Sequence, residues 1–147
     1  MLDKFKSFIS PNKESSPLDD IKNLQDLKNL VATKSIFSIL DNQDKSNKLK
    51  FVGGCVRKLL NKEMVNDIDI ATSLTPSELK NILTEKNIYF IETGIAHGTI
   101  TVVINNVKFE ITTLRKDMST DGRHANVEFI SDWEVDAKRR DFTINAI

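Results

Sequence analysis

Hydrophobic side chains along this chain recur with two different spacings. From residue 21 to residue 40 they return every three or four positions, which predicts a helix with Asp19 or Asp20 as its N-cap. In residues 107–114 they alternate with polar side chains, which predicts a strand with one buried face. Both spacings occur more than once, so the sequence predicts a mixture of helices and strands.

Shorter elements are predicted in the rest of the chain. Thr75 and Pro76 predict the start of a helix over residues 77–85, because threonine caps helices well and proline fits the first helical position. Asn105-Asn106 predicts a hairpin turn. The remaining predictions are strands at 50–53, 65–72, 89–93, 99–104 and 127–130, a helix at 56–60, a loop at 116–126 and a final helix capped by Asp136. This order predicts a small mixed sheet flanked by helices, an α+β fold.

The first twenty residues differ in character from the rest of the chain. They are polar and are interrupted by Pro11 and Pro17, so they predict a mobile N-terminal arm ahead of a domain over residues 21–147.

Composition and charge narrow the class of protein. The chain has 147 residues, of which 39% are hydrophobic and 29% charged, as expected for one soluble globular domain. Basic and acidic residues balance at 21 each, so any contact with a nucleic acid is expected to be local. The single cysteine, Cys55, excludes an internal disulfide and favours a cytoplasmic setting. No apolar run is long enough to predict a membrane span.

Asp67 and Asp69 are the strongest candidates for chemistry. They are two residues apart in a predicted strand, so both side chains should project from the same side. Two nearby carboxylates repel each other unless a cation neutralises them, and an oxygen-only site suits Mg²⁺. Surface aspartates or helix caps are the alternative. Aspartate is disfavoured in strands, however, and these two interrupt an apolar run.

Gly53-Gly54 followed by Arg57 forms a second candidate site. The glycines would allow a ligand close to the backbone, the start of the next helix would offer N–H groups to a phosphate, and Arg57 could bind the same phosphate. The alternative is an ordinary tight turn. Cys55 lies beside the glycines and is interpreted as a small buried side chain.

Glu110 and the arginines near the end of the chain complete the candidates. Glu110 is predicted to lie opposite the apolar face of its strand, either as a third acidic ligand or as a solvent-facing glutamate. Of Arg139 and Arg140, one is expected to face a ligand. The alternative is that Asp136 pairs with either arginine on a solvated helix face.

In combination and in this order, the motifs resemble a known family. The series resembles the head domain of class II tRNA nucleotidyltransferases and bacterial poly(A) polymerases, within the DNA polymerase beta-like nucleotidyltransferase superfamily. The resemblance begins near residue 51 and is carried by Gly53–Arg57, Asp67–Thr72, Gly94–Thr99, Phe109–Arg115, Asp121–Ala125 and Arg139–Ala146.

The resemblance implies a reaction and roles for three carboxylates. The reaction would transfer a nucleoside monophosphate from CTP or ATP to the 3′-hydroxyl of tRNA or another RNA, releasing pyrophosphate. Asp67 and Asp69 match the family's Mg²⁺-binding pair. Glu110 matches the third carboxylate, which would activate the RNA hydroxyl.

The resemblance also implies contacts with the nucleotide. Gly54 and Arg57 match contacts to the nucleotide phosphates, and Arg140 matches an arginine that binds the nucleotide. The loop Asp121–His124 resembles a flexible loop linked to switching between nucleotides. One residue departs from the family pattern, because Lys58 stands where an aspartate is usual.

Family members continue beyond the Arg139-Arg140-Asp141 helix into neck, body and tail regions. This chain is therefore expected to be a head domain without those regions, working with a separate chain that supplies them. The alternatives are an inactive remnant, a non-catalytic nucleotide-binding module, or a protein-interaction piece that uses an exposed sheet edge and the terminal helix.

Overall fold

The structure is a computed structural model that describes residues 15–41, 48–118 and 126–140. The helices are α1 (Leu24–Asn29), α2 (Val31–Leu40), α3 (Gly53–Leu60), α4 (Pro76–Glu85) and α5 (Trp133–Lys138), with a 3-10 turn at Ile95–His97. The strands are β1 (Leu49–Phe51), β2 (Ile68–Thr72), β3 (Phe90–Gly94), β4 (Thr99–Ile104), β5 (Val107–Thr113), β6 (Arg115–Asp117) and β7 (Val127–Phe129). Within the described ranges, no helix is long and apolar enough to cross a bilayer.

Five strands form one sheet in the order β1-β2-β5-β4-β3. The central pair, β2 and β5, is parallel, and the other neighbours are antiparallel. β6 and β7 form a separate antiparallel pair. The predicted small mixed sheet flanked by helices is therefore confirmed.

Local sequence determines two of the connections as predicted. Thr75 caps α4 in a reciprocal capping box with Glu78, and Pro76 is the first helical residue. Asn105 and Asn106 both have positive φ, at 49° and 61°, which joins β4 to β5 by a two-residue hairpin.

The prediction of one continuous helix over residues 21–40 is wrong, because the structure has two helices there. Leu30 leaves the helical conformation, with φ −57° and ψ 131°, and separates α1 from α2. The N-cap of α1 is Asn23, whose side chain accepts the Asp26 N–H, rather than Asp19 or Asp20. The hydrophobic spacing continues through Leu30, and no proline or glycine marks the break, so the sequence contains no signal for it.

Several predicted boundaries also move. β2 begins at Ile68 rather than at residue 65, and α3 begins at Gly53 rather than at residue 56. The loop predicted over residues 116–126 begins too early, because residues 115–117 form β6. Leu18, in the segment predicted as an arm, is buried against the core. Predictions for residues 1–14, 42–47, 119–125 and 141–147, including the loop at 121–124, lie outside the described residues.

The two faces of the large sheet have different surroundings. One face packs against α2, α3 and α4 around side chains such as Ile70, Phe109 and Ile111, which are fully buried. On the other face, Ala71 and Leu114 are covered by Trp133 of α5. Helix α5 therefore covers one end of this second face. The other end carries polar side chains, and we call the whole of this second face the open face.

Candidate active site

The open face carries Asp69 and Glu110 on neighbouring strands. β2 and β5 run parallel, and their register places Asp69 directly beside Glu110. Glu110 projects to this face because its neighbours Phe109 and Ile111 are buried on the opposite face. The structure thus brings together two of the three predicted carboxylates.

Asp67 joins these residues through a lysine. The Nζ atom of Lys108 lies 2.7 Å from Oε1 of Glu110 and 3.6 Å from Oδ1 of Asp67. Asp67 precedes β2, yet its contact with Lys108 keeps it on the same side as Glu110. We call Asp67, Asp69, Glu110 and Lys108 the carboxylate group. The sequence assigned no role to Lys108, although the alternation in β5 places it on the same face as Glu110.

Gly53 and Gly54 form a wall against Asp69. Gly53 has φ +67°, a conformation that glycine adopts without strain. A Cβ atom on either glycine would lie 3.4 Å from Oδ2 of Asp69, and one on Gly54 would lie 4.0 Å from Nη2 of Arg57. The Cys55 N–H donates to the same Oδ2 atom at 3.3 Å. The glycine pair therefore brings the start of α3, with Arg57, next to the carboxylate group.

The charge of Asp69 is unfavourable in this setting. Burial raises the pKa of Asp69, and although the Cys55 and Gly54 N–H groups lower it, the negative charges of Glu110 and Asp67 raise it further. The net shift is upward. A cation bound at this position would reverse the shift, because an opposite charge favours the ionised carboxylate.

Cys55 lies beneath the glycine wall. It is buried, and its Sγ atom donates to the Val52 carbonyl at 3.2 Å. Burial raises the pKa of the thiol, and the nearby charge of Asp69 raises it as well, so the thiolate is disfavoured. Cys55 is the small buried side chain that the sequence predicted, rather than a nucleophile.

Asp136, in α5, forms a second charged cluster with Arg115, Arg139 and Arg140. Its Oδ1 atom accepts from the Arg115 backbone N–H and from Arg139 Nε, both at 3.0 Å. Its Oδ2 atom accepts from Arg140 Nε at 3.0 Å and Nη2 at 2.8 Å. Burial raises the pKa of Asp136, but these donors outweigh burial and hold the pKa below its usual value. We call these four residues the Asp136 cluster.

The position of Asp136 in its helix corrects the prediction. Asp132, not Asp136, is the N-cap of α5, because its side chain accepts two N–H groups of the first turn. The alternative that Asp136 pairs with Arg139 or Arg140 is confirmed for both arginines. The pairing is buried rather than solvated, since the Asp136 side chain is only 4% exposed.

Arg115 is a further member of this cluster that the sequence did not single out. Its Nη1 atom donates to the His97 carbonyl at 2.9 Å. Its Nε atom is buried and has no hydrogen-bond partner within the described part of the chain. Burial and the neighbouring charge of Arg139 both lower the pKa of Arg115. The cluster thus contains more positive charge than Asp136 neutralises.

Arg140 lies on the open face, at the end that α5 covers. It lines a cavity of about 60 Å³ together with Ala71 and Trp133. Ala71 follows Asp69 by two residues in β2, so the two charged clusters occupy successive positions along one face. Among the described residues, no ion pair connects Arg140 to the carboxylate group.

The carboxylate group offers oxygen donors to a cation. Within the ranges that the structure describes, no three or more His, Cys, Asp or Glu residues are arranged to hold a metal ion. A cation held by Asp67 and Asp69 would therefore take its other ligands from water or substrate. The contact of Lys108 with two carboxylates shows that positive charge is already held at this position.

Comparisons with known proteins agree with this geometry. The family model described as "Poly A polymerase head domain" matches residues 49–147. The chain is 49% identical over 104 residues to human "CCA tRNA nucleotidyltransferase 1, mitochondrial", covering 70% of this chain and 24% of the human protein. It is 46% identical over 99 residues to a "CCA-adding enzyme" of Lactobacillus delbrueckii subsp. bulgaricus, covering 66% of this chain and 24% of that protein.

A solved structure is also similar. The crystal structure of the Bacillus stearothermophilus CCA-adding enzyme in complex with CTP has a TM-score of 0.56 and 41% sequence identity. The similarity covers 67% of this chain and 22% of that one. The chain thus spans about a quarter of the length of the curated relatives it matches.

Proposed function

The chain belongs to the poly(A) polymerase head domain family, and on that basis we propose that it is the catalytic head of an RNA nucleotidyltransferase. The reaction moves a nucleoside monophosphate from CTP or ATP to the 3′-hydroxyl of an RNA, with tRNA as the inferred acceptor. The observation that carries the proposal is the register of β2 and β5, which sets Asp69 beside Glu110. The names of the relatives, and the CTP in the Bacillus crystal structure, support it.

Asp67 and Asp69 are the proposed ligands of Mg²⁺. Their oxygen-only chemistry fits this ion, which usually takes one or two carboxylates and completes its shell with water and substrate phosphates. The upward pKa shift of Asp69, caused first by burial and then by the charges of Glu110 and Asp67, also fits, because a bound cation would favour the ionised carboxylate. When bound, Mg²⁺ would neutralise phosphate charge and favour ionisation of the attacking hydroxyl. The Cys55 N–H fixes the orientation of Asp69.

Glu110 is the proposed acceptor of the proton. The RNA 3′-oxygen attacks the α-phosphorus of the nucleotide, the bond from that phosphorus to the bridging oxygen breaks, and pyrophosphate leaves. The hydroxyl proton goes to Glu110, whose carboxylate lies beside Asp69 on the open face. Lys108 holds Glu110 at 2.7 Å and limits its rotamers before substrate binds.

The glycine wall and the arginines are the proposed binding groups for the triphosphate. Gly54 has no side chain and so leaves room for phosphate oxygens beside the start of α3, and Arg57 borders the same space. Arg140 uses Nε and Nη2 for Asp136, which leaves Nη1 to serve other acceptors. These groups would stabilise the negative charge that develops on the leaving pyrophosphate.

Selection of the base and binding of the tRNA body are proposed to come from neck and body regions outside these 147 residues. The balanced charge of these 147 residues supports this division, because a protein that binds RNA alone usually carries a basic surplus.

One observation favours a second candidate, a nucleotide-binding module without catalysis. Lys108 already pairs with Asp67 and Glu110, so the carboxylate group is partly neutralised without a metal ion. In this alternative the nucleotide would bind at Gly54 and Arg57, and Lys108 would permanently occupy the cation position. Calorimetry with ATP separates the two, because the catalytic proposal requires that Mg²⁺ strengthen binding and the alternative does not.

The proposal is tested by labelling tRNA that lacks its 3′ end. The chain is mixed with radiolabelled CTP or ATP and Mg²⁺, with and without the neck and body regions of the Bacillus enzyme as a second chain. We expect label on the tRNA with wild type, none with Asp67→Ala/Asp69→Ala, and full labelling with the control Glu85→Ala, an exposed acid on α4. Labelling that persists in the double variant would refute the assignment.

A further inference from the structure

The small cavity beside Arg140 has a second cation in its lining, Lys50. The cavity has a volume of about 60 Å³, and Lys50 lines it together with Arg140, Trp133 and Ala71. Lys50 reaches the open face from β1, because its two neighbours in the strand are buried on the opposite face. A space of this size holds a few water molecules, and therefore also a group as small as a phosphate. We call it the Lys50 cavity.

Trp133 holds the Lys50 ammonium group in a defined place. The Nζ atom of Lys50 lies 4.4 Å from the centroid of the Trp133 ring, which is within the range of a cation–π contact. The ring is fixed in turn, because it packs against Ala71 and Leu114. Lys50 has no ion pair within the described part of the chain. Since a ring does not neutralise the ammonium group, Lys50 keeps its charge for an anion.

The carboxylate that lines the Lys50 cavity does not balance its cations. Asp136 is also part of the lining, but its two oxygens already accept hydrogen bonds from Arg139 and Arg140. Arg140 uses Nε and Nη2 for these contacts and keeps Nη1 for another acceptor. With Lys50 added, positive charge is in excess around the cavity. An anion with several oxygens would satisfy both cations at once.

The Lys50 cavity lies on the side of Asp69 towards which a leaving group would depart. Lys50 is the register partner of Ala71, which follows Asp69 by two residues, about 7 Å along β2. Glu110, the proposed acceptor of the hydroxyl proton, lies on the other side of Asp69, in β5. The attacking and leaving oxygens of phosphoryl transfer are roughly in line. Attack from the β5 side therefore sends the leaving group towards β1, the strand of Lys50.

From these observations we infer that Lys50, held over Trp133, binds the leaving pyrophosphate in this cavity. The inference rests on the proposed nucleotidyl transfer. When the bond from the α-phosphorus to the bridging oxygen breaks, its electron pair stays with the pyrophosphate, and the Lys50 and Arg140 side chains stabilise that charge. Before the reaction, the same side chains bind the terminal phosphates of the nucleotide. Lys50 thereby selects triphosphates over monophosphates.

Sodium pyrophosphate is a suitable probe, because its binding needs neither RNA nor turnover. Trp133 is the one tryptophan of the chain, so tryptophan fluorescence reports on the Lys50 cavity. We expect a saturable change in fluorescence as pyrophosphate is added to the full chain, and none with sodium chloride at the same ionic strength. Absence of a saturable change, or the same change with chloride, would overturn the inference.

Lys50→Met tests the ammonium group. Methionine keeps an unbranched apolar stem over Trp133 and removes only the charge and its donors. We expect pyrophosphate affinity to fall by about five- to twentyfold, and Lys50→Arg to keep most of it because the charge remains. Lys86→Met, at an exposed lysine that ends α4 on the helix-covered side of the sheet, is the matched control and should bind as wild type does. Unchanged affinity in Lys50→Met would remove Lys50 from the site.

ATP and AMP separate phosphate binding from a purely structural role of Lys50. In calorimetry, Lys50→Met should lower the affinity for ATP by a similar factor and leave the affinity for AMP unchanged, because AMP lacks the phosphates that reach the cavity. Equal losses for both nucleotides would show that Lys50 only supports the fold.

The inference and the proposed nucleotidyl transfer can fail separately. Pyrophosphate binding that depends on Lys50, without any labelling of tRNA, would support the phosphate site and refute the transfer. Labelling by wild type, with equal pyrophosphate affinity in wild type and Lys50→Met, would refute the role of Lys50 and leave the transfer in place.

Discussion

The two charged clusters on the open face have opposite compositions. The carboxylate group combines three carboxylates with one lysine, so negative charge is in excess. The Asp136 cluster combines three arginines with one carboxylate, so positive charge is in excess. Neither cluster balances its own charge. The proposed metal-bound nucleotide would complement both clusters, because it would offer a cation to the first and phosphates to the second.

The clusters also differ in burial. The Lys108, Asp67 and Glu110 side chains are 44%, 51% and 38% exposed, whereas Asp136 is 4% exposed and its two paired arginines are 17% exposed. Exposed ion pairs contribute little to stability, while removing one partner of a buried pair is strongly destabilising. We therefore expect the carboxylate group to matter for chemistry and the Asp136 cluster to matter first for folding.

The largest expected effect concerns activity. Replacing Asp67 and Asp69 with alanine should lower kcat/KM for nucleotide incorporation by at least about 10²–10³-fold, because both proposed metal ligands are lost. The unfolding midpoint in urea should move little, because Asp67 is exposed and the relief of the unfavourable Asp69 charge offsets the acceptor that the Cys55 N–H loses. A large loss of stability would instead mean that the carboxylate group is structural.

The second effect concerns stability. Asp136→Ala should lower the free energy of unfolding by about 2–4 kcal/mol, because two guanidinium groups and the Arg115 N–H lose their buried acceptor. Urea unfolding followed by circular dichroism measures this. Asp132→Ala, which removes only the cap of the same helix, is the control and should cost about 1 kcal/mol. Equal losses of unfolding free energy in the two variants would show that the arginine contacts of Asp136 do not contribute to stability.

Alanine substitutions at the two glycines of the wall should affect different properties, stability at Gly53 and nucleotide binding at Gly54. Gly53→Ala should cost about 1 kcal/mol, because φ +67° is unfavourable for alanine. Gly54→Ala has no such penalty, and its Cβ meets Asp69 at an ordinary contact distance of 3.4 Å. We expect it to keep its stability but to raise KM for the nucleotide, because the methyl group fills the proposed phosphate space. An unchanged KM would remove Gly54 from the phosphate site.

The pH dependence of stability should have opposite signs in the two clusters. The pKa of Asp69 is raised above 3.8 on folding, so its ionisation destabilises the fold as the pH rises through the folded pKa. The pKa of Asp136 is lowered below 3.8, so its stabilising contribution is complete above that value and is lost as the pH falls through the folded pKa.

Urea unfolding of two variants at neutral and acidic pH measures this contrast. Asp69→Asn should be more stable than wild type near neutral pH and lose that advantage on acidification. Asp136→Asn should be less stable near neutral pH, with a deficit that shrinks in acid. Parallel pH profiles for the two variants would show that the clusters are not electrostatically opposed.

The smallest effect concerns Lys108. Lys108→Gln removes the cation that Asp67 and Glu110 share, so Mg²⁺ should bind without displacing an ammonium group. We expect the Mg²⁺ concentration for half-maximal labelling to fall while stability stays near that of wild type. Lys116→Gln, an exposed lysine on β6, serves as the comparison. A higher Mg²⁺ requirement would mean that Lys108 assists the reaction directly.

Local signals predicted the parts of the fold that depend on a few neighbouring residues. Thr75-Pro76 started α4, and Asn105-Asn106 made the hairpin, because capping and turn geometry are decided within four residues. The alternation in β5 placed Glu110 on the polar face for the same reason. The break at Leu30 was missed because it has no local marker.

The pairings that cross the sheet could not be read from the sequence. Lys108 reaches Asp67 because of the register between β5 and the start of β2, which the sequence does not encode locally. The sequence predicted Asp136 as the cap of the final helix, whereas Asp132 is the cap and Asp136 instead accepts hydrogen bonds from Arg139 and Arg140. The sequence thus named candidate residues and offered the pairing of Asp136 with Arg139 or Arg140 as an alternative, but it did not predict the contacts that cross the sheet.

The parallel pairing of β2 with β5 also has a consequence for the order of folding. β4 and β5 meet through a two-residue turn, so this hairpin can form within microseconds, with Lys108 already beside Glu110. β2 can join it only after a long loop closes, which is entropically slower. Asp69 therefore reaches a strand whose acidic side chain already has a cationic neighbour. During folding, the positive charge of Lys108 would then reduce the repulsion between Glu110 and the arriving aspartates, before any substrate binds.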